Sequence, residues 1–100
     1  MNRSDLYIYR NGILELAVEL SITTSIDHIL NQIRSVLAEA PKIMVILVGL
    51  AEESDGVYVA SKQREENKAA TLRSRVNDEW NSDPRIVVKT WEQFRQEVNQ

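Results

Sequence analysis

The chain has 100 residues, of which 43% are hydrophobic and 27% are charged, with three glycines, two prolines and no cysteine. This composition excludes a disulfide scaffold, a thiolate metal site and a disordered chain, and the length predicts one small domain over residues 1–100. The formal net charge of −3 argues against a general nucleic-acid binder. The longest apolar run is far shorter than the ~20 residues of a membrane span, and the N-terminus lacks a signal-peptide core, so we expect a cytoplasmic protein.

An N-terminal β-hairpin is predicted around Asn11-Gly12, because both residues tolerate positive φ and apolar runs flank them. A two-residue turn pairs Tyr9 with Leu14 and Tyr7 with Leu16. This register predicts a core face that carries Tyr7, Tyr9, Leu14, Leu16, Val18 and Leu20. It predicts an opposite, mixed face that carries Leu6, Ile8, Arg10, Ile13, Glu15, Ala17 and Glu19.

A helix and a buried strand are predicted after the hairpin. Thr24 and Asp27 form a start that resembles a capping box, and Pro41 ends the helix. Its apolar side chains recur at helical spacing: Ile26, Ile29, Leu30, Ile33, Val36 and Leu37. Residues 43–50 are apolar throughout and include β-branched side chains, which is typical of a strand buried on both faces.

The second half of the chain predicts two more helices and one more strand. Segment 51–56 predicts a turn, and residues 57–60 fit either a short strand or the start of a helix over residues 61–80. A strand over residues 85–89 follows, and Thr90 opens the last helix with a T-x-x-Q capping box. The predicted order is β-β-α-β-α-β-α. Because crossovers of this kind give parallel strands, we expect an α/β fold with a mixed four-stranded sheet.

Three acidic residues follow the central strand, at the place where α/β sheets usually bind ligands. They are Glu52, Glu53 and Asp55, and carboxylate oxygens are ligands for hard cations. The segment lacks the glycines and lysine of a phosphate-binding loop, and it lacks the spacing of an EF-hand. Two interpretations stay open: a solvated acidic loop, or a sensor site for a cation or small ligand at residues 49–56.

The helix over residues 61–80 is predicted to have a positive outer face. Its basic residues are Lys62, Arg64, Lys68, Arg73 and Arg75. Such a face is usually solvated, and it also suits an acidic protein surface or phosphates. His28 lies off the apolar stripe of its helix, so we expect it to be exposed and without a catalytic role.

Carboxylates on the hairpin suggest the most specific chemistry. Glu15 and Glu19 lie on one predicted face of the second strand, and Asp5 lies one strand away. Metal-dependent nucleases use two or more carboxylates to hold Mg²⁺, and they usually add a lysine that orients or activates the water. Mg²⁺ is the one cofactor that this arrangement implies.

The run from Asn11 resembles the core of PD-(D/E)XK nucleases, most closely the Shedu type found in bacterial antiphage defence. The similar segments, which span most of the chain, are residues 13–20, Asn31-Gln32-Ile33, residues 43–49, residues 72–77 and Thr90-Trp91-Glu92-Gln93-Phe94. The family's E-x-K motif has its acid at Glu15 here, but Ala17 stands at the lysine position. The resemblance therefore implies a restriction-endonuclease-like fold whose active site is degraded and which is kept for binding.

The first functional hypothesis is a non-catalytic interaction or oligomerisation module of bacterial or phage type. It rests on Leu6, Ile8 and Ile13, which share the mixed face of the hairpin with charged residues, as interface residues do. The expected partner is a second copy of the chain or another protein. Neither nucleic acid nor a membrane is expected as a partner.

Two other hypotheses stay open. One is a divergent Mg²⁺-dependent nuclease, related to antiphage defence systems, that uses Asp5, Glu15 and Glu19. The other is the cation or small-ligand sensor at residues 49–56, which rests on the position of that segment in the sheet. No cofactor is expected unless the nuclease hypothesis holds, in which case it is Mg²⁺.

Overall fold

The computed structural model describes residues 4–99. Within this range the chain forms six strands and three helices. In chain order they are β1 (Leu6–Arg10), β2 (Ile13–Ser21), α1 (Ile26–Leu37), β3 (Ile43–Leu47), β4 (Leu50–Ser54), β5 (Val57–Ala60), α2 (Lys62–Trp80), β6 (Ile86–Thr90) and α3 (Trp91–Val98). Four of the strands form the main sheet, and β4 with β5 forms a separate hairpin.

The main sheet has the strand order β1-β2-β3-β6. β1 runs antiparallel to β2, whereas β2 with β3 and β3 with β6 are parallel pairs. α1 connects the first parallel pair and α2 connects the second, and the two helices contact each other on one face of the sheet. The predicted mixed four-stranded sheet and the three predicted helices are therefore confirmed for residues 4–99.

The core lies between the main sheet and these two crossover helices. Its largest fully buried side chains are Leu30, Ile33, Ile43, Val45, Leu47 and Leu72. The apolar stripe predicted for α1 points into this core, and its most buried members are Ile29, Leu30, Ile33 and Val36. Full burial of one such side chain stabilises the fold by roughly 1.5–3 kcal/mol, so the α1–α2 layer holds the sheet together.

The capping prediction is confirmed for α3 and wrong for α1. Thr90 Oγ1 accepts a hydrogen bond from the Gln93 N–H at 3.1 Å, and Gln93 Oε1 accepts one from the Thr90 N–H at 3.0 Å. α1 is capped by Ser25, whose Oγ accepts a hydrogen bond from the His28 N–H at 3.2 Å. Thr24 is therefore not the cap, because serine one residue later makes the same bond and is the better N-cap residue.

The strand predicted over residues 43–50 is shorter than expected, and the turn predicted after it is part of a hairpin. β3 ends at Leu47, the chain changes direction at Val48 and Gly49, and β4 then pairs with β5 around Asp55-Gly56. Residues 57–60 are thus a strand. The unbroken apolar run hides this bend, because apolar character predicts burial but not direction. The corrected order is β-β-α-β-β-β-α-β-α.

The N-terminal hairpin follows its predicted register only near the turn. Tyr9 pairs with Leu14 as predicted, but Tyr7 pairs with Ala17, so the predicted pairing of Tyr7 is wrong by one residue. Glu15 is the extra residue of a β-bulge in β2. Because side chains alternate along a strand, one inserted residue exchanges the two faces beyond it.

This bulge reverses the predicted faces of β2. Ala17 and Glu19, predicted for the mixed face, point toward the helices, where they are 0% and 9% exposed. Their places on the opposite face are taken by three apolar residues that were predicted for the core: Leu16, Val18 and Leu20. Leu16 and Val18 pair there with Ile8 and Leu6 of β1.

Candidate functional site

The face of β1 and β2 that points away from α1 and α2 is apolar. It carries Leu6, Ile8, Ile13, Leu16, Val18 and Leu20, and we call it the open face; Arg10, the partner of Ile13, lies on it at the turn end. Four of these side chains are substantially exposed: Leu6 by 55%, Ile8 by 39%, Ile13 by 72% and Leu20 by 44%. Since an exposed apolar patch of this kind marks an interaction site more often than scattered apolar residues do, the open face is the first candidate site.

α3 covers the other half of the same sheet face. It follows β6 directly, and the Lys89 ammonium group in β6 pairs with the Glu97 carboxylate in α3. Ile46, which neighbours Lys89 in the sheet, is buried although it lies outside the main core cluster. α3 therefore covers the β3–β6 half of this face, whereas Leu6, Ile8 and Leu20 on its β1–β2 half stay exposed within residues 4–99.

The charged groups beside the open face are paired within the chain. The Arg10 guanidinium lies 3.4 Å from the Glu15 carboxylate, and both side chains are exposed at the turn end of the hairpin. Lys89 and Glu97 form the pair on the side next to α3. The open face therefore offers apolar contacts without an excess of either charge.

A second candidate site is a cavity of about 130 Å³ between β2 and the first turns of α1. Its lining is mostly polar and consists of Asp5, Glu19, Leu20, Ser21, Thr24, His28, Ile29 and Gln32. The bulge brings Glu19 to this side of the sheet, and the four-residue spacing of His28 and Gln32 puts both on one side of α1. We call this space the polar cavity.

Glu19 is the chemically unusual residue of the polar cavity. Its Oε1 is buried and accepts no hydrogen bond from any residue that the structure describes. Burial raises the pKa of Glu19 above its ordinary value, and the negative charge of Asp5 raises it further. The Ser4 hydroxyl and His28 oppose this shift in pKa, each less strongly than burial raises it, and the Ser4 hydroxyl does not reach hydrogen-bond geometry with Oε1.

Replacing Glu19 by glutamine is expected to stabilise the fold at about pH 7.5 by about 1 kcal/mol, because it removes a buried charge without a partner. Since the pKa of Glu19 is raised on folding, the native protein holds this proton more tightly than the unfolded chain does. The contribution of Glu19 to the free energy of unfolding is therefore fully present below the ordinary pKa of glutamate. It is lost as the pH rises through the pKa that Glu19 has in the folded protein. The extra stability of Glu19→Gln over the wild type should accordingly vanish at about pH 3.5.

Urea unfolding of Glu19→Gln and of the wild type at both pH values measures this difference. Glu15→Gln is the matched control, because Glu15 is an exposed acid on the same strand. A Glu19→Gln variant that is no more stable than the wild type at about pH 7.5 contradicts the assignment of Glu19 as a destabilising buried acid.

The structure brings together two of the three carboxylates predicted for the nuclease hypothesis. Asp5 and Glu19 both line the polar cavity, and Asp5 Oδ2 also accepts a hydrogen bond from the Leu20 N–H at 2.7 Å. Glu15 lies apart from them at the bulge, beside Arg10. Within residues 4–99, no three His, Cys, Asp or Glu side chains are grouped so that they could hold a metal ion.

The acidic residues after β3 lie on the exposed β4–β5 hairpin. The prediction of a loop over residues 49–56 is therefore wrong, because most of this segment is the strand β4. Glu52 and Glu53 belong to β4, and Asp55 belongs to the turn. Glu52 Oε1 accepts a hydrogen bond from the Gly56 N–H at 3.2 Å, so this carboxylate stabilises the turn. The predicted loop is a hairpin because a strand pair satisfies its backbone groups, which an extended loop leaves to water.

Two basic residues of α2 connect that helix to its neighbours. Arg73 donates hydrogen bonds to the Val88 carbonyl and to Gln93 Oε1, each at 3.0 Å. Arg75 lies 3.2 Å from the Asp27 carboxylate of α1. The positive stretch of the sequence is thus partly explained by contacts between α2 and the elements around it.

Two other basic residues, Arg64 and Lys68, line a groove of about 600 Å³ at the carboxyl ends of β2 and β3. Lys68 Nζ donates hydrogen bonds to Ser21 Oγ at 3.1 Å and to the Ile22 carbonyl at 3.4 Å. Burial lowers the pKa of Lys68. Because Ser21 also lines the polar cavity, Lys68 separates this groove from the cavity.

Gln32 was not predicted as a site residue, and Lys68 was predicted only as part of the positive face of α2. Helical spacing places Gln32 one turn after His28 and on the same side of α1. The cavity could still not be predicted, because Glu19 was assigned to the wrong face of β2 and no other residue indicated a site beside α1. Lys68 reaches Ser21 across 47 positions of sequence. Such a contact depends on how the crossover helices pack, which no local pattern reveals.

No family model, no curated protein and no solved structure matches the chain. The resemblance to PD-(D/E)XK nucleases therefore stays a prediction from the residues that carry it. In the described part of the chain, no helix combines the length and the apolar character that crossing a membrane requires.

Proposed function

We propose that the chain is a non-catalytic interaction module that binds a second copy of itself through the open face. The observation that carries the proposal is the exposure of apolar side chains on a regular sheet face, including Ile13 at 72% and Leu6 at 55%. Burial of apolar area drives most protein association, so a face that exposes several apolar side chains gains free energy from a partner that covers it.

The charge distribution favours a second copy as the partner. Arg10 is already paired with Glu15, and Lys89 with Glu97, so the surroundings of the open face carry no excess charge that repels an identical surface. A partner with a strongly charged surface finds no complementary charge there. Two open faces can pack about a twofold axis, as sheets do in a sandwich, with about 10 Å between them.

The size of the face predicts a weak dimer. β1 and β2 form a strip about 10 Å wide and about 17–30 Å long, at about 3.4 Å per residue and 4.8 Å per strand. This strip is smaller than the roughly 800 Å² that each partner buries in a standard interface. We therefore expect a dissociation constant of roughly 10–100 µM, weaker than the micromolar to picomolar range of standard-size interfaces.

Sedimentation equilibrium over a concentration range around this value tests the proposal. Ile8→Glu places a carboxylate in the centre of the strip, and because the dimer is symmetric the change enters the interface twice. We expect the dissociation constant to rise at least about tenfold. The matched control is Val57→Glu, which puts the same charge on an exposed apolar position of β5.

Two results contradict the proposal. The first is a wild-type protein that stays monomeric well above the expected dissociation constant. The second is a dimer that Val57→Glu weakens as much as Ile8→Glu does, since that result shows that the loss of affinity is not specific to the open face. Circular dichroism of each variant shows whether the fold is retained.

A further inference from the structure

We infer that the polar cavity binds a small organic cation that carries a primary ammonium group. The inference does not rest on the proposed self-association, because Glu19 points to the helix-covered side of the sheet and the open face lies on the other side, although Leu20 borders both. It rests on the hydrogen-bonding groups that the cavity leaves without partners, on the charge around them and on the size of the space.

Three buried side-chain oxygen atoms lack hydrogen-bond partners among the residues described: Ser4 Oγ, Glu19 Oε1 and Gln32 Oε1. The last two belong to residues that line the polar cavity. Glu19 is only 9% exposed, and both residues line the same space. Most buried polar groups in proteins are hydrogen-bonded, so two unpartnered acceptors in one cavity indicate that a donor belongs between them.

The charge in the polar cavity favours a cation as that donor. Asp5 and Glu19 contribute two carboxylates against the single imidazole of His28, and within residues 4–99 no lysine or arginine forms an ion pair with Glu19. Lys68 donates its hydrogen bonds to Ser21 Oγ, at the edge of the cavity, and to the Ile22 carbonyl. A neutral donor leaves the buried carboxylate without compensation, whereas a cation compensates it.

The oxygen atoms that line the polar cavity fit an ammonium group better than a metal ion. Mg²⁺ requires near-octahedral coordination by oxygen atoms, and no three His, Cys, Asp or Glu side chains among the described residues are grouped to supply it. An ammonium group donates three hydrogen bonds, and the cavity offers acceptors on Glu19, Gln32 and Asp5. The three N–H donors of an ammonium group therefore match the three acceptor side chains of the cavity.

The volume of the polar cavity sets the size of the ligand. About 130 Å³ is the room of a few water molecules, each of which takes about 30 Å³ in the liquid. This space accepts an ammonium head with a short chain, whereas the methyl groups of a quaternary ammonium head hold its nitrogen away from the Glu19 carboxylate. Methylammonium is thus a suitable probe, and tetramethylammonium is a control of equal charge without N–H donors.

Nuclear magnetic resonance titration tests the inference at constant ionic strength. Methylammonium chloride should shift the side-chain amide signals of Gln32 and the backbone signal of Glu19 in a saturable manner, and tetramethylammonium chloride should not. A ligand with two non-hydrogen atoms binds no more tightly than about 5 mM. Glu19→Gln should weaken the binding of methylammonium at least about tenfold, and Glu15→Gln should leave it unchanged.

Several results overturn the inference. One is equal shifts from methylammonium and tetramethylammonium, and another is an unchanged affinity in Glu19→Gln. A third is saturation of these same signals by MgCl₂ at a lower concentration than by methylammonium. The fourth is a slowly exchanging Gln32 side-chain amide in buffer without any added amine, since a rotated amide that donates to Glu19 leaves no place for a ligand. If Glu19→Gln does not fold, the inference is still tested by comparing methylammonium with tetramethylammonium on the wild-type protein.

Discussion

Gly49→Ala is expected to destabilise the protein by about 3 kcal/mol or more, which is a large part of the stability of a domain of this size. A Cβ atom at this position lies 2.2 Å from the Glu65 backbone nitrogen, 2.5 Å from the Ser61 carbonyl oxygen and 2.7 Å from the Glu65 Cα. All three atoms belong to the backbone, so no side-chain rotation relieves the clash. The Ser61 N–H also donates a hydrogen bond to the Gly49 carbonyl at 2.8 Å, which holds the two segments together.

Gly56→Ala is the matched control for this prediction. Gly56 has a positive φ of 73°, but a Cβ atom there meets nothing within 4 Å. Alanine in this conformation costs about 1 kcal/mol through backbone strain alone. Midpoints of urea unfolding should therefore rank Gly49→Ala far below Gly56→Ala, and equal midpoints for the two variants contradict the close approach of α2 to the end of β3.

Glu65→Ala is expected to cost about 2–3 kcal/mol, because it removes a buried charged acceptor that serves two backbone groups. Glu65 is buried in α2. Its Oε1 accepts a hydrogen bond from the Gly49 N–H at 3.4 Å, and its Oε2 accepts one from the Glu92 N–H at 3.3 Å. The carboxylate thus links the end of β3 with the first turn of α3, where a negative charge also suits the helix dipole.

Glu66→Ala is the control, since Glu66 is the neighbouring residue of the same type and is exposed. We expect Glu66→Ala to change the free energy of unfolding by less than about 0.5 kcal/mol. The predicted difference between the two variants is measured by chemical unfolding at neutral pH. Losses of equal size exclude the linking role of Glu65.

The elements with a local signal were predicted well from the sequence. α1 and β6 follow from the spacing of their apolar residues, and α3 follows from Thr90 and Gln93, whose capping box forms within four residues. The mixed sheet follows from the order of these elements, because parallel strands need a crossover and the hairpin needs only a turn. Each of these features depends on residues that are close in the sequence.

The bulge at Glu15 could not be predicted, and it decided the candidate site. Apolar residues occupy both faces of β2, so the alternating pattern does not say which face meets the helices. Pairing with β1 and packing against α1 select the face with the small residue Ala17, and this choice depends on tertiary contacts. One residue of register thus moved Glu19 from a predicted interface into the polar cavity.

The same bulge made the open face more apolar than the sequence predicted. The mixed face was expected to combine Leu6, Ile8 and Ile13 with Glu15 and Glu19. In the structure, Leu16, Val18 and Leu20 join the three predicted apolar residues, while Glu19 is turned away from them. The interaction hypothesis keeps its predicted residues and gains a larger apolar surface.

The Glu19 carboxylate in the polar cavity links the stability of the protein to the inferred ligand site. A buried carboxylate without a partner lowers the stability of the free protein, whereas glutamine fits the same space without the charge. Natural proteins tolerate such destabilising groups mainly at functional sites. A more stable Glu19→Gln variant that no longer binds methylammonium thus connects the stability prediction with the inferred ligand site.

Self-association through the open face is tested by an isotope-filtered nuclear Overhauser experiment on a dimer in which one copy is labelled at its methyl groups. If two open faces pack on each other, the methyl groups of Leu6, Ile8 and Ile13 in one copy must show contacts with open-face methyl groups of the unlabelled copy. Contacts only along the backbone edge of β1, contacts at Val57 and Val59 of the β4–β5 hairpin, or no contacts between copies at all contradict the account.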